Sequence, residues 1–550
     1  MTDAETQHQL GTNLRRQGQA CEALGPLEAA VQLAPTNPLF RLDLGATLLG
    51  LGRAAAAETI APAVALVPTL PEARNLLGCA LLAAGRTTEA QAEFAEALRL
   101  RPGYAAAHDN LGRACRAQGR MAEALRHFQL ALGRSPSPSP ATHSNFLLAT
   151  NYADSLPAAE IVARHREWDA RHARSLRPGF PPAIAPFAGR RLRIGYVSPD
   201  FCQHAVAFFF APVLAAHDRT RFEIFCYHSG SVRDAVTAQL RAAAEHWRDI
   251  AALDDDTAAG LIRRDGIDVL VDLAGHTAGN RLLVFARRPA PAQATWLGYP
   301  NTTGLAAMDW RLTDATCLPP GDDARHGPEK LLRLPDVFCC YQPPPDCPPA
   351  ETPATDRPPT FGSFNNLAKL SPSTIRLWAQ LLAAQPAARL LLKSPGANDP
   401  ETQNFFRAQF ASHGVAPERI RFNGEALPMR QHLALYLGCD VALDPLPYNG
   451  TTTTCEALLM GVPVVTLAGE THVSRVGASL LRCVGLPEFV ATTPAEYVSL
   501  ATRLAASIPR RAELRARLLT SPLGDTVRFT RNYETAMLEA WQASAAAAAA

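Results

Sequence analysis

The chain has 550 residues, 47% of them hydrophobic and 19% charged, so it is long enough for about three to four domains with large cores and is not a disordered protein. A formal net charge of +2, with no basic block interleaved with aromatic residues, gives no reason to predict a nucleic-acid partner. The first ten residues, MTDAETQHQL, are polar, and no apolar run reaches about 18 residues, so we expect no signal peptide, no membrane span and a cytoplasmic location.

The cysteines are scattered along the chain. There are 12, none forms a Cys-X-X-Cys pair, and the one close pair, Cys339 and Cys340, is adjacent. Such a distribution is typical of reduced, buried thiols rather than of disulfides or a zinc site.

The first quarter of the chain repeats at steps of 33 or 34 residues. Three positions recur: a first glycine (Gly11, Gly45, Gly78, Gly112), a second glycine (Gly18, Gly52, Gly85, Gly119) and a proline (Pro35, Pro68, Pro102, Pro136). The first glycine lets two helices approach closely, the second ends one helix, and the proline ends the next. We therefore predict about four helix-turn-helix units over residues 1–136.

This pattern resembles the tetratricopeptide repeat (TPR). One unit cannot bury its apolar face alone, so we expect the units to stack into a superhelix with a concave groove. The groove is expected to hold protein or peptide acceptors, although a purely structural spacer would show the same pattern. Residues 137–190 are predicted to form a helical linker.

From residue 191 onwards, strand and helix patterns alternate; VTAQLRAAAEHW, for example, is predicted to be one helix. Apolar strands bounded by amphipathic helices predict parallel sheets covered on both faces. We expect one lobe over 191–345 and a second over 358–542, with a proline-rich crossover between them. Two such lobes form a cleft, and ligands of open α/β sheets bind at the carboxyl ends of the strands.

A threonine-rich loop follows one strand of the second lobe. The stretch YNGTTTTCEALL places Thr451, Thr452 and Thr453 at the start of a helix. Free N–H groups, hydroxyls and the helix dipole favour an anion there, and a diphosphate fits best. Glu456 lies one turn further, within reach of a vicinal diol such as ribose. Ordinary threonine capping would explain the loop if it stood alone.

A lysine follows the first strand of the same lobe. In SFNNLAKLSP, Lys369 lies in the loop after the strand and can neutralise a phosphate leaving group without a metal. Most lysines in loops are simply solvated and bind no ligand. The threonine-rich loop of the same lobe nevertheless favours the interpretation that Lys369 binds a phosphate.

Three strand-end loops of the first lobe face the predicted cleft. One carries Asp200 and His204; the histidine is a candidate base on a hydroxyl, with the aspartate as its orienting or relay group, and a purely structural histidine is equally compatible with the sequence. The other two contain His276 and the stretch 297–304. The acidic run at 254–256 is not interpreted as a metal site, because N-capping of a helix explains it.

The TPR pattern and six later motifs resemble the O-linked N-acetylglucosamine (O-GlcNAc) transferases and their SPINDLY relatives. The motifs are VSPDFCQH, DLAGHTAGNR, RPAPAQATWLGYPNTTG, FNNLAKLSP, YNGTTTTCEALLMGVPVVTL and GETHVSRVGASLL. The resemblance implies an α + α/β chain, a TPR superhelix followed by a GT-B fold of two Rossmann-like lobes. It also implies an inverting transfer of N-acetylglucosamine from UDP-GlcNAc to Ser/Thr hydroxyls of proteins, with no cofactor and no metal.

The resemblance also implies roles for single residues. His204 and Asp200 match proton-handling residues near the acceptor, and Lys369 matches the lysine on the donor β-phosphate. The matching donor-binding positions are Asn366 beside the lysine, His432 on the uracil, Thr452 and Thr453 at the diphosphate with Thr451 beside them, Glu456 on the ribose, and His276, Pro300 and Leu427 in the donor cleft.

Four positions depart from the animal enzymes of this family. Met429 stands in place of a ribose-contacting lysine, Thr451 in place of a histidine, Glu456 in place of an aspartate, and His276 in place of a tyrosine. The diphosphate site is kept, but the nucleotide and sugar stay open. O-fucosyl transfer from GDP-fucose, as in SPINDLY members, and a TPR scaffold without activity are the alternatives.

Overall fold

The structure of the protein is a computed structural model that describes residues 2–178, 189–321, 323–350, 357–507 and 510–549. The chain divides into two compact units. One comprises Met1–Ala149 with Gly396–Asn404, and the other comprises Thr150–Pro395 with Phe405–Ala550. In the described ranges, every helix is too short or too polar to cross a membrane.

Residues 3–134 of the first unit form four helix pairs, and neighbouring pairs pack on each other as stacked repeats do. The pairs are α1 (Asp3–Arg16) with α2 (Ala20–Leu33), α3 (Pro38–Gly50) with α4 (Ala56–Leu66), α5 (Pro71–Ala83) with α6 (Thr87–Leu100), and α7 (Ala105–Ala117) with α8 (Met121–Arg134).

The repeated glycines hold each pair together, as the spacing predicts. A Cβ on Gly78 would lie 2.5 Å from the Phe94 ring, and one on Gly112 would lie 2.8 Å from Phe128, so neither position has room for a side chain. The second repeated glycine has a positive φ in every unit, with values of 81°, 66°, 76° and 75°. Glycine adopts this left-handed conformation without steric cost, which explains why it ends the first helix of each unit.

Two helices lead from the repeats to the first lobe: α9 (Pro140–Thr150) and α10 (Ala158–Trp168). A buried histidine joins α10 to the loop after a strand of that lobe. His165 Nε2 accepts from the Tyr299 hydroxyl at 2.7 Å, and Asn151 Nδ2 donates to the same hydroxyl at 2.6 Å. Residues 179–188 of the predicted linker lie outside the described residues.

The first lobe contains a seven-stranded parallel sheet in the order β3-β2-β1-β4-β5-β6-β7 within the described residues. Its elements are β1 (Leu192–Ser198), α11 (Ala205–Ala216), β2 (Phe222–His228), α12 (Ala235–Ala243), β3 (His246–Asp249), α13 (Asp255–Asp265), β4 (Val269–Asp272), α14 (Leu282–Ala286), β5 (Ala292–Thr295), β6 (Trp310–Asp314) and β7 (Lys330–Leu334).

The edge strand β3 lies where the sequence predicts the end of a helix, so that prediction is wrong. The sequence indicates one helix through Trp247, whereas α12 ends at Ala243 and the chain then pairs with β2. The His246 ring stacks on Phe225 at 4.1 Å, and its Nε2 donates to Glu223 at 2.9 Å. Cross-strand contacts therefore override the helical pattern at this edge.

The second lobe contains a six-stranded sheet in the order β10-β9-β8-β11-β12-β13, again counted over the described ranges. Its elements are β8 (Thr360–Ser363), α15 (Pro372–Ala384), β9 (Arg389–Lys393), α16 (Pro400–Ala411), β10 (Ile420–Asn423), α17 (Met429–Ala434), β11 (Val441–Leu443), α18 (Thr452–Leu459), β12 (Val464–Leu467), α19 (Val476–Cys483), β13 (Val490–Ala491), α20 (Pro494–Ala506) and α21 (Arg511–Thr520).

Both sheets reverse their strand order beside their first strand. β1 pairs with β2 on one side and β4 on the other, and β8 lies in the same way between β9 and β11. At such a switch point the loops diverge and leave a crevice at the carboxyl ends of the strands. The loops that follow β1, β4, β8 and β11 are therefore the ones that the topology selects for a site.

The last helix, α22 (Thr526–Ala549), packs on the first lobe, although the sequence grouped residues up to 542 with the second. Phe529, Tyr533 and Met537 recur every four residues and are buried in the core of the first sheet. His217 Nδ1 donates to Glu534 at 2.9 Å in the same contact. The spacing reveals an apolar face but does not say which sheet covers it.

The 12 cysteines are free thiols. Most are buried, as expected, but Cys21 is exposed. Burial raises the pKa of Cys226 to about 12, because a thiolate is poorly solvated in the core. The buried thiols are therefore protonated and unreactive.

Candidate active site

One cleft between the two lobes is lined by loops from both sheets and has a cavity volume of about 270 Å³. The first lobe contributes His204, Val206, Phe209, Leu297, Gly298 and Pro300. The second contributes Asn365, Asn366, Lys369, Tyr448 and the threonines Thr451, Thr452 and Thr453. The predicted lysine, the threonine loop and the predicted histidine therefore share one space.

Lys369 is held in a fixed direction by three neighbours. Its Nζ donates to Asn365 Oδ1 at 3.2 Å and to the Asn449 carbonyl at 2.9 Å, and it lies 4.6 Å from the centre of the Tyr448 ring. Burial lowers the pKa of Lys369, while the nearby Asp444 carboxylate favours the charged form. The arrangement places a partly desolvated ammonium at the cleft.

Asn365 links the lysine to the threonine loop. Its Oδ1 also accepts from Thr453 Oγ1 at 3.1 Å, and the residue is 5% exposed. A Cβ on Gly450 would lie 2.1 Å from the same threonine hydroxyl, so the loop closes this tightly only with glycine there. Sequence reasoning assigned no role to Asn365 or Tyr448; the signal for both was their place in loops that follow β8 and β11.

Asp444 fixes the start of the threonine loop. It accepts from the Gly450 N–H at 2.6 Å and from Thr466 Oγ1 at 2.7 Å. Burial raises the pKa of Asp444, and Lys369 opposes that rise. The hydroxyl of Thr451, the residue before α18, makes no capping hydrogen bond. Helix capping by Thr451 therefore does not account for the loop.

His204 begins α11 on the opposite side of the cleft. Its Nδ1 accepts from the Val206 N–H at 3.3 Å and lies 3.7 Å from Asp200 Oδ2, which is too long for a hydrogen bond. Because Nδ1 accepts, the proton of the neutral ring lies on Nε2. Burial raises the pKa of the Asp200 carboxyl, and the histidine opposes this.

His432 and Glu456 form a separate pair next to the cleft. His432 Nε2 donates to Glu456 Oε2 at 3.1 Å, and the Tyr436 hydroxyl donates to the same oxygen at 3.1 Å. Neither residue lines the cleft itself. The two residues predicted to contact the base and the ribose are therefore neighbours.

His276, Leu427 and Asn366 are placed differently from one another. His276 is 1% exposed, and its Nε2 donates to the Thr303 carbonyl at 2.8 Å, so it supports the loop 297–304 from beneath and does not line the cleft. Leu427 is partly buried before α17 and also does not line it. Asn366 lines the cleft, and its side chain accepts from the Ala368 N–H at 2.9 Å.

The first-lobe wall of the cleft contains a strained turn. Leu297 has a φ of 74°, a conformation that non-glycine residues rarely adopt. The next residue is Gly298, where a Cβ would lie only 2.0 Å from the Leu273 carbonyl oxygen. Strain of this kind persists where the surroundings force it, and it is frequent at functional sites.

Two acidic clusters of the first lobe lie outside the cleft. Asp254 accepts from the Thr257 N–H at 2.7 Å, which is the N-capping that the sequence predicts. Over the described ranges, one triad has metal-ligand spacing: Glu223, Glu245 and His246. Arginines pair with both of its carboxylates, at 2.9 and 2.7 Å. It does not line the cleft.

The model of glycosyl transferase family 41 matches residues 132–341 and 355–537, which is more than half of the chain. The chain belongs to glycosyl transferase family 41. A tetratricopeptide repeat model matches residues 75–138 of this family 41 chain. The predicted family and the predicted order of repeats and Rossmann-like lobes are both confirmed.

Several named proteins resemble this family 41 chain. The rice protein "Probable UDP-N-acetylglucosamine--peptide N-acetylglucosaminyltransferase SPINDLY" is 43% identical over 414 residues, covering 72% of this chain and 44% of the relative. The Arabidopsis thaliana SEC protein, with the same descriptive name, is 33% identical over 389 residues, covering 66% and 39%. The chain thus spans about half the length of these curated relatives. A solved structure of a mutant Thermobaculum terrenum O-GlcNAc transferase is 35% identical, with a TM-score of 0.85 and 100% coverage of both chains.

Proposed function

We propose that this chain is a protein O-GlcNAc transferase. It would move N-acetylglucosamine from UDP-GlcNAc to Ser/Thr hydroxyls by an inverting reaction that needs no metal. The observation that carries the proposal is the convergence of Lys369, Asn365 and Thr453 on one point of the cleft, opposite His204. The names of the SPINDLY and SEC relatives and of the bacterial structure support the same activity.

The donor diphosphate would bind between Lys369 and the start of α18. Thr452 offers its hydroxyl, and Thr452 and Thr453 both offer free N–H groups at a helix N-terminus, which favours an anion. Negative charge grows on the leaving phosphate as the sugar bond breaks, so a fixed ammonium stabilises the transition state more than the ground state. This lysine supplies the charge that a metal provides in other transferases.

The nucleoside would bind beside the His432–Glu456 pair. The imidazole offers a flat surface to the base, and the carboxylate keeps one oxygen for the ribose hydroxyls. Thr451, Asn366 and Pro300 line the cleft as further donor contacts. We also propose donor-cleft positions for Leu427 and, through the loop that it supports, His276.

The acceptor hydroxyl would attack the anomeric carbon from the side of His204 as the bond to the UDP phosphate breaks, which inverts that centre. The hydroxyl proton would pass to an oxygen of the leaving phosphate. Because Nδ1 of His204 already accepts a hydrogen bond, the Nε2–H would orient the acceptor, and Asp200 would be the second polar group there. We propose that the TPR groove holds the protein acceptor, and that the free thiols fit a reducing, cytoplasmic setting.

A donor panel tests this function. The chain is incubated with a Ser/Thr peptide and UDP-GlcNAc, UDP-glucose or GDP-fucose, and nucleotide release and peptide mass are measured. We expect UDP release and a peptide heavier by one N-acetylhexosamine. GDP release with a fucosylated peptide would establish the O-fucosyl alternative, and no release together with no calorimetric binding of UDP or GDP would establish an inactive scaffold.

Replacing His204 with alanine is expected to lower kcat by about 10- to 100-fold. This is no more than the smallest effect of a positioned acid–base group, because His204 would orient the hydroxyl and not take its proton. The loss of its helix cap should also cost about 1 kcal/mol of stability. His204→Asn keeps a capping side chain, so it should recover the stability without the activity. Thermal unfolding and initial rates check both effects. An alanine variant with wild-type kcat would remove His204 from the mechanism.

A further inference from the structure

A second, much smaller pocket, with a cavity volume of about 20 Å³, lies where α10 meets both lobes. Ile161, Val162 and Leu318 form its apolar wall. The facing wall is basic, with Arg311 from β6, Arg325 and His326 from the segment before β7, and His472 from the second lobe. Asn301 also lines it and directly follows Pro300 of the catalytic cleft.

Two of the basic side chains are buried and have at least one nitrogen without a hydrogen-bond partner among the described residues. Arg311 is 3% exposed; its guanidinium donates to the His326 carbonyl at 3.1 Å, but its Nε has no partner among the described residues. His472 is 5% exposed, and neither of its ring nitrogens has a partner over the same ranges. Buried polar groups are almost always hydrogen-bonded, so this pocket lacks an acceptor.

The nearby carboxylates do not supply that acceptor. Glu329 accepts from the Thr302 hydroxyl and from the N–H and hydroxyl of Thr303, at 2.6 to 2.7 Å. Asp323 pairs with Arg333. Burial lowers the pKa of Arg311, and the charges of Glu329 and Asp323 raise it, but within the described residues no carboxylate forms an ion pair with Arg311. Arg311 therefore carries its positive charge without a direct counterion.

The histidines respond to that charge. Burial, followed by Arg311 and Arg325, lowers the pKa of His326 to about 4, and burial with Arg311 also lowers the pKa of His472. Both rings are thus neutral at pH 7. An anion in contact with them would favour their charged forms and turn weak donors into charge-assisted ones.

We propose that this pocket binds a small oxyanion, a phosphoryl or carboxylate group, through Arg311 and His472, with Arg325 at the mouth. The bound anion would give both buried donors an acceptor and connect residues of α10 and both lobes. Its binding site is separate from the catalytic cleft, so it does not depend on the proposed transferase activity.

Thermal unfolding of the full chain tests the proposal. Sodium phosphate and sodium acetate are titrated against sodium chloride at equal ionic strength. We expect an oxyanion to raise Tm beyond chloride, because a ligand that binds only the folded state stabilises it. A response to phosphate alone would assign a phosphoryl ligand, and a response to acetate alone a carboxylate.

Variants locate the response. His472→Leu removes a ring that makes no hydrogen bond in the described residues, so it should fold normally and weaken the apparent oxyanion affinity by about tenfold. Arg325→Ala at the exposed mouth should act in the same direction. Arg510→Ala, at another exposed arginine, should leave the response unchanged. The proposal is overturned if chloride raises Tm as much as both oxyanions do. It is also overturned if the rise in Tm survives in His472→Leu and Arg325→Ala but disappears in Lys369→Ala, because that result would place the anion in the catalytic cleft.

Discussion

Lys369→Ala is expected to lower kcat about 10³-fold, with little change in Tm. Loss of one preorganised group that stabilises transition-state charge costs about this much. The Tm should hold because the buried ammonium is itself costly to desolvate, and because Asn365 Oδ1 keeps its bond from Thr453. Initial rates with saturating donor, together with a thermal melt, measure the two quantities.

Two further lysine variants sharpen this test. Lys330→Ala removes an exposed lysine of β7 and should leave kcat unchanged. Lys369→Arg should not restore activity, because a planar guanidinium does not fit between Asn365 and the Asn449 carbonyl under the Tyr448 ring. An alanine variant that keeps most of the wild-type rate would show that the leaving group is stabilised elsewhere.

Gly298→Ala is expected to destabilise the protein by about 2 kcal/mol. It should also lower activity, because it displaces the loop that forms the first-lobe wall of the cleft. The new Cβ would lie 2.0 Å from the Leu273 carbonyl oxygen, and rigid backbone cannot yield as a flexible side chain can. The loop must shift, and it carries both the strained Leu297 and Pro300. Denaturant unfolding gives the stability change, and donor titration shows whether KM rises.

Gly260→Ala is the matched control in the same lobe. This glycine lies inside α13, and a Cβ there would meet nothing closer than 3.6 Å, the end of the Arg264 side chain. Alanine should be neutral or stabilise the helix by up to about 1 kcal/mol. Equal destabilisation by both substitutions would contradict the clash at Gly298.

Much of the site could be predicted because strand ends are visible in the sequence. The apolar runs before His204, Lys369 and Thr451 show where parallel strands stop, and the carboxyl ends of such strands face one crevice. The repeat was visible because each unit needs the same small residue where its helices touch, as at Gly78 and Gly112.

The rest depended on contacts between distant segments. In the sequence, Asn365 and Asn366 are adjacent asparagines in the same loop and cannot be told apart. Only the fold shows that Asn365 joins Lys369 to Thr453. His276 follows a strand as His204 does, but the neighbouring loop buries it. The donor-binding roles of these residues stay predictions, since no ligand contact follows from strand position alone.

The return of α22 to the first lobe has a mechanical consequence. The backbone joins the lobes twice, once between β7 and β8 and again between α21 and α22. The two connections are adjacent, since the Tyr341 N–H donates to the Leu523 carbonyl at 2.8 Å. Adjacent connections of this kind favour hinge rotation of one lobe against the other. Exchange of donor and product would then follow one rotational coordinate, and a probe attached near the chain's end would report on the lobe that carries His204.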